Sequence, residues 1–197
     1  VLVGRDDRKS SPEIAEYLIK GILDSGANVS DAGLCTTPLI YYGTAKFNFQ
    51  ASVMITASHN PAEYNGMKIS REKALPVGYD TGLSDLEKMM QTKAIEPSGK
   101  KGTVETIDLR TPYLEFLKSY MVSTDELNAV IDCSNGMAGL FARQIFGIDP
   151  TYIYDDIDCS FPNHEPNPLV EENVSDLKKM VLDKKADLGI IFDGDAD

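Results

Sequence analysis

Strand-like and helix-like segments alternate from Val1 to Ile55, and this alternation narrows the possible folds more than any other feature of the chain. Val1-Leu2-Val3 reads as a strand. A helix follows, with Ser10 and Glu13 at capping-box spacing and Pro12 suited to its first turn. Ile14, Leu18 and Ile22 form one apolar stripe, and Gly26 suits the stop. Val29 to Leu34 is a second strand, Thr37-Pro38 starts a second helix through Phe47, and Ala51 to Ile55 is a third, buried strand. The expected class is α/β, with a mixed but mostly parallel sheet.

The third strand runs into Thr56-Ala57-Ser58-His59-Asn60-Pro61 and then the turn-forming Tyr64-Asn65-Gly66. Ser58 thus falls just past a strand's carboxyl end, the edge where open α/β sheets bind ligands. A hydroxyl there can be a nucleophile, a phosphate carrier or a turn former. Arg5 and Arg8 lie just beyond the first strand, and Lys68 follows the turn. Each is either solvated surface charge or a group that holds an anion beside Ser58. Lys68 could also be an acid or base if its pKa were lowered.

From Pro76 to Gly102 the pattern weakens. Ser84 and Glu87 predict a capped helix through Met90, and Lys93 to Lys101 reads as a polar loop. Thr111-Pro112 starts a helix whose Tyr113, Phe116, Leu117 and Tyr120 form an apolar face for core packing. A boundary near Gly102 to Asp108 divides the chain into units 1–104 and 105–197. The second unit opens on the strand Ala129-Val130-Ile131 and a glycine-bearing turn from Asp132 to Gly139. That turn lacks the full dinucleotide fingerprint and reads as a tight strand–helix connection. Tyr152 to Ile157 is the next strand, and Phe161 to Pro168 is an extended loop in which His164 is either structural or functional. Asn173 to Asp183 is an amphipathic helix, with Val174, Leu177 and Val181 on one side.

Leu188 to Phe192 then reads as a buried strand entering Asp193-Gly194-Asp195-Ala196-Asp197. Three carboxylates at alternate positions repel one another unless a cation lies between them. Extended alternation, or a tight loop permitted by Gly194, would converge them on a hard ion such as Mg2+.

A net charge of −12 opposes a nucleic-acid or anionic-membrane partner, but leaves room for a small phosphorylated substrate held by a local basic patch. No apolar run approaches transmembrane length. Cys35, Cys133 and Cys159 are widely spaced, which fits reduced thiols in a cytoplasmic protein better than a disulfide framework or a zinc site. Nothing in the pattern sets an oligomeric state.

Together, Thr56 to Pro61 and Asp193 to Asp197 resemble the phosphoserine signature and the magnesium loop of the α-D-phosphohexomutases, phosphomannomutase/phosphoglucomutase type. The resemblance extends to Gly4-Arg5-Asp6 with Arg8, Tyr64-Asn65-Gly66 with Lys68, Asp132 to Gly139, and the loop from His164 to Pro168. It implies two consecutive α/β sandwich domains and a phosphoserine at Ser58, whose phosphate joins Asp193, Asp195 and Asp197 around Mg2+. His59 and Lys68 match positions lining that site, and Arg5, Arg8 and Asn60 are the candidates for binding substrate. The implied substrate is a hexose phosphate, mannose or glucose, with a sugar 1,6-bisphosphate as intermediate and activator. The family also has a strand and an arginine-bearing loop ahead of Val1, an arginine after the magnesium motif, and third and fourth domains that read the sugar. The expectation is therefore a piece of a longer enzyme, truncated at both ends and inactive alone. Rival readings are a phosphoglucosamine mutase of the same family, a haloacid-dehalogenase-like phosphatase using Asp193 as nucleophile, and a non-catalytic metal- or phosphate-binding module.

Overall fold

A computed structural model describes residues 1–92, 97–123 and 127–197. Strands β1 (Leu2–Arg5), β2 (Val29–Leu34) and β3 (Ala51–Ile55) alternate with helices α1 (Ser11–Asp24) and α2 (Thr37–Lys46), as the hydrophobic pattern predicts. β4 (Met67–Arg71), β5 (Leu75–Pro76), α3 (Leu83–Thr92), β6 (Val104–Thr106) and α4 (Arg110–Lys118) follow. They complete a sheet in the order β5-β4-β3-β1-β2-β6. β3, β1, β2 and β6 run parallel, while β4 and β5 are antiparallel additions at one edge. The second sheet is all parallel, with β7 (Ala129–Asp132) between β8 (Thr151–Ile153) and β9 (Leu188–Ile191). Helices α5 (Ala142–Phe146) and α6 (Ser175–Lys184) accompany it. The class is thus two α/β units, the first with a mixed but mostly parallel sheet and the second with a parallel one.

Alternation along the strands builds a core on each face of the first sheet. Leu2 and Met54 pack with Leu39 and Ile40 of α2, while Val3, Val53 and Ile55 pack against Ala15, Leu18 and Ile22 of α1. Each fully buried aliphatic side chain contributes about 1.5–3 kcal/mol. Cys35 and Cys133 are buried in these interiors, and burial pushes both thiols up to about 12, so they are inert packing groups. No helix among the described residues is long and apolar enough to cross a membrane.

Four local expectations change. Ser10 makes no capping bond, because its backbone is already helical and its hydroxyl accepts from Asn65 Nδ2 at 2.9 Å. β8 stops at Ile153 and not at Ile157, since Tyr154 turns the chain with φ +53°. Of the apolar face on α4, only Tyr113 is buried; Phe116 and Tyr120 lie at the surface, with Phe116 stacked on Tyr42 at 4.8 Å. β6 pairs with β2, so Val104–Thr106 belong to the first sheet, and a boundary at 104/105 would pass through that strand. The loop expected over 93–101 lies partly outside the described residues, because 93–96 are not among them.

Candidate active site

β3 delivers Ser58 to the carboxyl edge of the first sheet. The Thr56 amide bonds the Gly66 carbonyl (3.0 Å), and the Thr56 hydroxyl accepts from the Ser58 amide (2.9 Å). Ser58 itself has φ +55°, in the left-handed region that costs a non-glycine residue about 1–2 kcal/mol. Surrounding contacts must hold that conformation.

Arg8 is one of those contacts, and here the structure corrects its expected role as a substrate-binding cation. The residue is 2% exposed, and all five guanidinium N–H donors are engaged. Nε donates to Asp6 Oδ2 (3.1 Å); Nη1 to the carbonyls of Pro61 (2.6 Å) and Tyr64 (3.1 Å); Nη2 to those of Ser58 (2.9 Å) and Asn60 (2.7 Å). Asp6 is fixed in turn by the Arg8 amide (3.0 Å) and the Ser11 hydroxyl (2.5 Å). No donor is left for a ligand.

The acidic loop arrives from β9 in the other unit. A Cβ on Gly194 would lie 2.5 Å from the Ser58 carbonyl oxygen, and one on Gly136 would lie 2.8 Å from the Gly194 oxygen. The two loops therefore meet backbone to backbone, at a distance only glycine allows. The turn from Asp132 to Gly139 is the expected tight connection. It also supports the acidic loop, with the Met137 amide on the Gly194 carbonyl (3.0 Å) and the Ser134 hydroxyl on the Phe192 carbonyl (2.6 Å).

Across this junction the Ser58 hydroxyl donates to Asp193 Oδ2 at 2.7 Å. Asp193, Asp195 and Asp197 each offer one oxygen, and these lie within 4.8 Å of one another. Asp195 is fully buried: Oδ2 accepts from Thr37 Oγ1 (2.5 Å) and Lys68 Nζ (2.8 Å), while Oδ1 is buried without a partner. An unpartnered carboxylate oxygen beside two more acids fits a hard divalent cation. Burial, and then the charge of Asp195, raise the Asp193 carboxyl to about 6. For Asp195 burial acts in the opposite sense, but the bonds from Lys68 and Thr37 outweigh it and hold the pKa below the usual range.

Lys68 bridges Asp195 and Asp197, at 2.8 Å to each, and stands 3.4 Å from Ser58 Oγ. Burial opposes its ammonium, yet the two carboxylates win and its pKa is raised. In this arrangement Lys68 is a cation paired with both carboxylates. Arg5 ends β1 beside Ile55, and its side chain makes no ion pair among the described residues. His59 and Asn60 are exposed at the loop tip, where Asn60 is tied through its carbonyl to Arg8. His164 is structural: Nε2 meets Asp132 Oδ2 (3.1 Å) and Nδ1 the Glu165 carbonyl (2.8 Å), pinning its loop to the end of β7. The Asp132 bond raises its pKa against the effect of burial.

Sequence reasoning missed Thr37, whose hydroxyl and amide both hold Asp195. The available signal was the pair Thr36-Thr37 at a strand-to-helix turn on the ligand edge, which reads equally well as a helix start. A mostly apolar cavity of about 210 Å³, lined by Tyr113, Phe141, Phe146 and Phe192, lies behind the acidic loop. It offers little to a charged ligand.

These features define the class: a two-unit α/β protein with a strained serine and a three-carboxylate cluster facing each other across the junction. Two family models match, Phosphoglucomutase/phosphomannomutase alpha/beta/alpha domain I over residues 1–95 and domain II over 111–197. The chain belongs to the phosphoglucomutase/phosphomannomutase family. The phosphomannomutase/phosphoglucomutase of Pseudomonas syringae pv. tomato is 38% identical over 204 residues, covering 100% of this chain and 42% of that protein. The phosphomannomutase of Escherichia coli is 35% identical over 210 residues, covering 100% and 46%. A solved structure of a phosphoglucomutase/phosphomannomutase family protein from Burkholderia thailandensis matches with a TM-score of 0.88 at 31% identity, over 98% of this chain and 44% of that one. The chain thus spans 42% to 46% of the length of these curated relatives. Family membership sets aside the haloacid-dehalogenase-like reading of Asp193.

Proposed function

We propose that the full-length protein interconverts hexose 1-phosphates and hexose 6-phosphates of mannose, glucose or both, with Ser58 as the phosphoryl carrier. The observation that carries this reading is the Ser58 hydroxyl, 2.7 Å from Asp193 Oδ2 at the mouth of the carboxylate cluster. The names of the curated relatives support the substrate class. Asp193, Asp195, Asp197 and Ser58 would hold Mg2+, which when bound supplies neutralising charge to the phosphoryl group. In the first half-reaction the Ser58 O–P bond breaks as a sugar hydroxyl oxygen gives up its proton and bonds phosphorus, and the Ser58 oxygen takes up a proton, leaving a sugar 1,6-bisphosphate. In the second, the Ser58 hydroxyl gives up its proton and its oxygen bonds the other phosphoryl group, the sugar oxygen leaves and takes up a proton, and the isomeric monophosphate departs. The residues position groups and balance charge; no other covalent chemistry is needed.

Lys68 would hold charge here and transfer no proton. Lys68→Ala in the full-length enzyme is expected to lower kcat on the order of 10²-fold, as for loss of one fixed charge-stabilising donor. Mg2+ affinity should not fall, because the variant removes a cation from two of the ligands. Steady-state kinetics with titration calorimetry checks both, and an unchanged kcat would make Lys68 a bystander.

The reading itself is tested by assaying the full-length protein on mannose, glucose and glucosamine phosphates, with Mg2+ and a sugar 1,6-bisphosphate activator. Turnover of the first two supports it. Turnover of glucosamine phosphate alone would replace it with the amino-sugar mutase, and no turnover would leave a binding module.

A further inference from the structure

We propose that Arg8 is the positioning residue of the phosphoryl carrier: it clamps the loop from Ser58 to Tyr64 so that Ser58 Oγ faces the carboxylate cluster. This rests on the assignment of Ser58 as carrier. Four backbone carbonyls, from Ser58, Asn60, Pro61 and Tyr64, converge on one guanidinium. Oxygens aimed at a common point repel one another, so the loop needs a cation at its centre to keep this shape. Arginine supplies five donors in a rigid plane, whereas lysine has three. The fifth donor goes to Asp6, which fixes the guanidinium against the start of α1. Asn65 Nδ2 reaches the hydroxyls of Ser10 and Ser11, at 2.9 Å each, and ties the far end of the loop to the same anchor.

The clamp acts directly at the strained residue. The Ser58 carbonyl is held by Arg8 Nη2 on one side and abuts Gly194 on the other. The fixed carbonyl and the φ of +55° set the direction of the Cα–Cβ bond, and the hydroxyl it carries meets Asp193 Oδ2 at 2.7 Å. The guanidinium also lies 5.3 Å from the centre of the Phe161 ring, so a loop of the second unit touches the same anchor. Arg8 therefore ties the carrier loop to both units without itself reaching the site.

The test is Arg8→Lys in the full-length enzyme. It keeps the charge beside Asp6 but leaves two of the five acceptors unfilled. kcat should fall on the order of 10²-fold, the scale of a misplaced reacting group, while KM for the hexose phosphate stays within about threefold. The phosphoserine 31P resonance, expected as a single line in the wild type, should broaden or split as the loop samples several positions. A folded variant with wild-type kcat overturns the proposal. So does a raised KM at unchanged kcat, which would make Arg8 a substrate ligand. Should the variant not fold, 15N NMR of the wild-type arginines decides: the clamp requires slow rotation and exchange protection of the Arg8 guanidinium, and fast rotation overturns it. That readout needs neither turnover nor phosphate. An inactive wild type with a rigid guanidinium would therefore sink the mutase reading and leave the clamp standing.

Discussion

Ser58→Ala in the full-length protein is expected to remove phosphoryl exchange, with a loss on the order of 10⁴-fold or more if Ser58 is the covalent carrier proposed above. Ser58 Oγ is the hydroxyl that meets Asp193, and the Thr56 hydroxyl behind it is occupied by the Ser58 amide. Thr37, the other hydroxyl at the cluster, is fully buried on Asp195 and cannot stand in. The variant should still fold, since the loop is held through backbone carbonyls that alanine retains. Intact mass and peptide mapping of active wild-type enzyme should find one phosphate on the peptide carrying Thr56 to Pro61, absent in the variant. Active enzyme without phosphoserine, or full activity in Ser58→Ala, would end the assignment.

Much of this site is legible in the sequence, for a physical reason. β1, β3 and β9 are short apolar runs, and the residues that end or follow each run lie at the carboxyl edge of its own sheet. Local pattern alone therefore brings Arg5, Ser58 and Asp193 to the carboxyl ends of strands. What local pattern cannot give is the partner of a polar side chain. An arginine at a strand end looks the same whether it faces a ligand or four carbonyls 50 to 56 positions away, as Arg8 does. Thr37 and Asp195 are 158 positions apart, so nothing local marks the threonine as a support for the acid.

Ser10 and Lys68 make the same point in opposite directions. Ser10 has capping-box spacing, but its hydroxyl is drawn off to Asn65, so tertiary contact overrides a local signal. The sequence puts Lys68 just after the turn that follows Ser58, yet the sense of its pKa shift depends on which charges face it. Two carboxylates at 2.8 Å make it a firm cation, where an apolar pocket would have made it a base.

Asp195→Asn should lower Mg2+ affinity about 100-fold or more, the largest effect expected of a single change in the cluster. Asp195 Oδ2 is committed to Thr37 and Lys68, so an asparagine that keeps those bonds puts its carbonyl oxygen there. Its NH2 then occupies the place of Oδ1, the buried oxygen without a partner. A donor would replace an acceptor at the point where a cation is expected, and one negative charge would be lost. Titration calorimetry measures the first consequence, and unchanged binding would reduce the three aspartates to a charged turn. A second consequence appears without metal. Asp193 is raised from 3.8 to about 6 by burial and by Asp195, so it holds its proton more tightly folded than unfolded. Its contribution to stability is present at low pH and is lost as pH rises from 3.8 through about 6. Removing the Asp195 charge lowers the Asp193 pKa and shrinks that loss. In EDTA, the variant's melting temperature should therefore fall less than the wild type's across this interval. An equal or steeper fall would mean that the two carboxylates do not sense each other, and the shared cation site would lose its electrostatic basis.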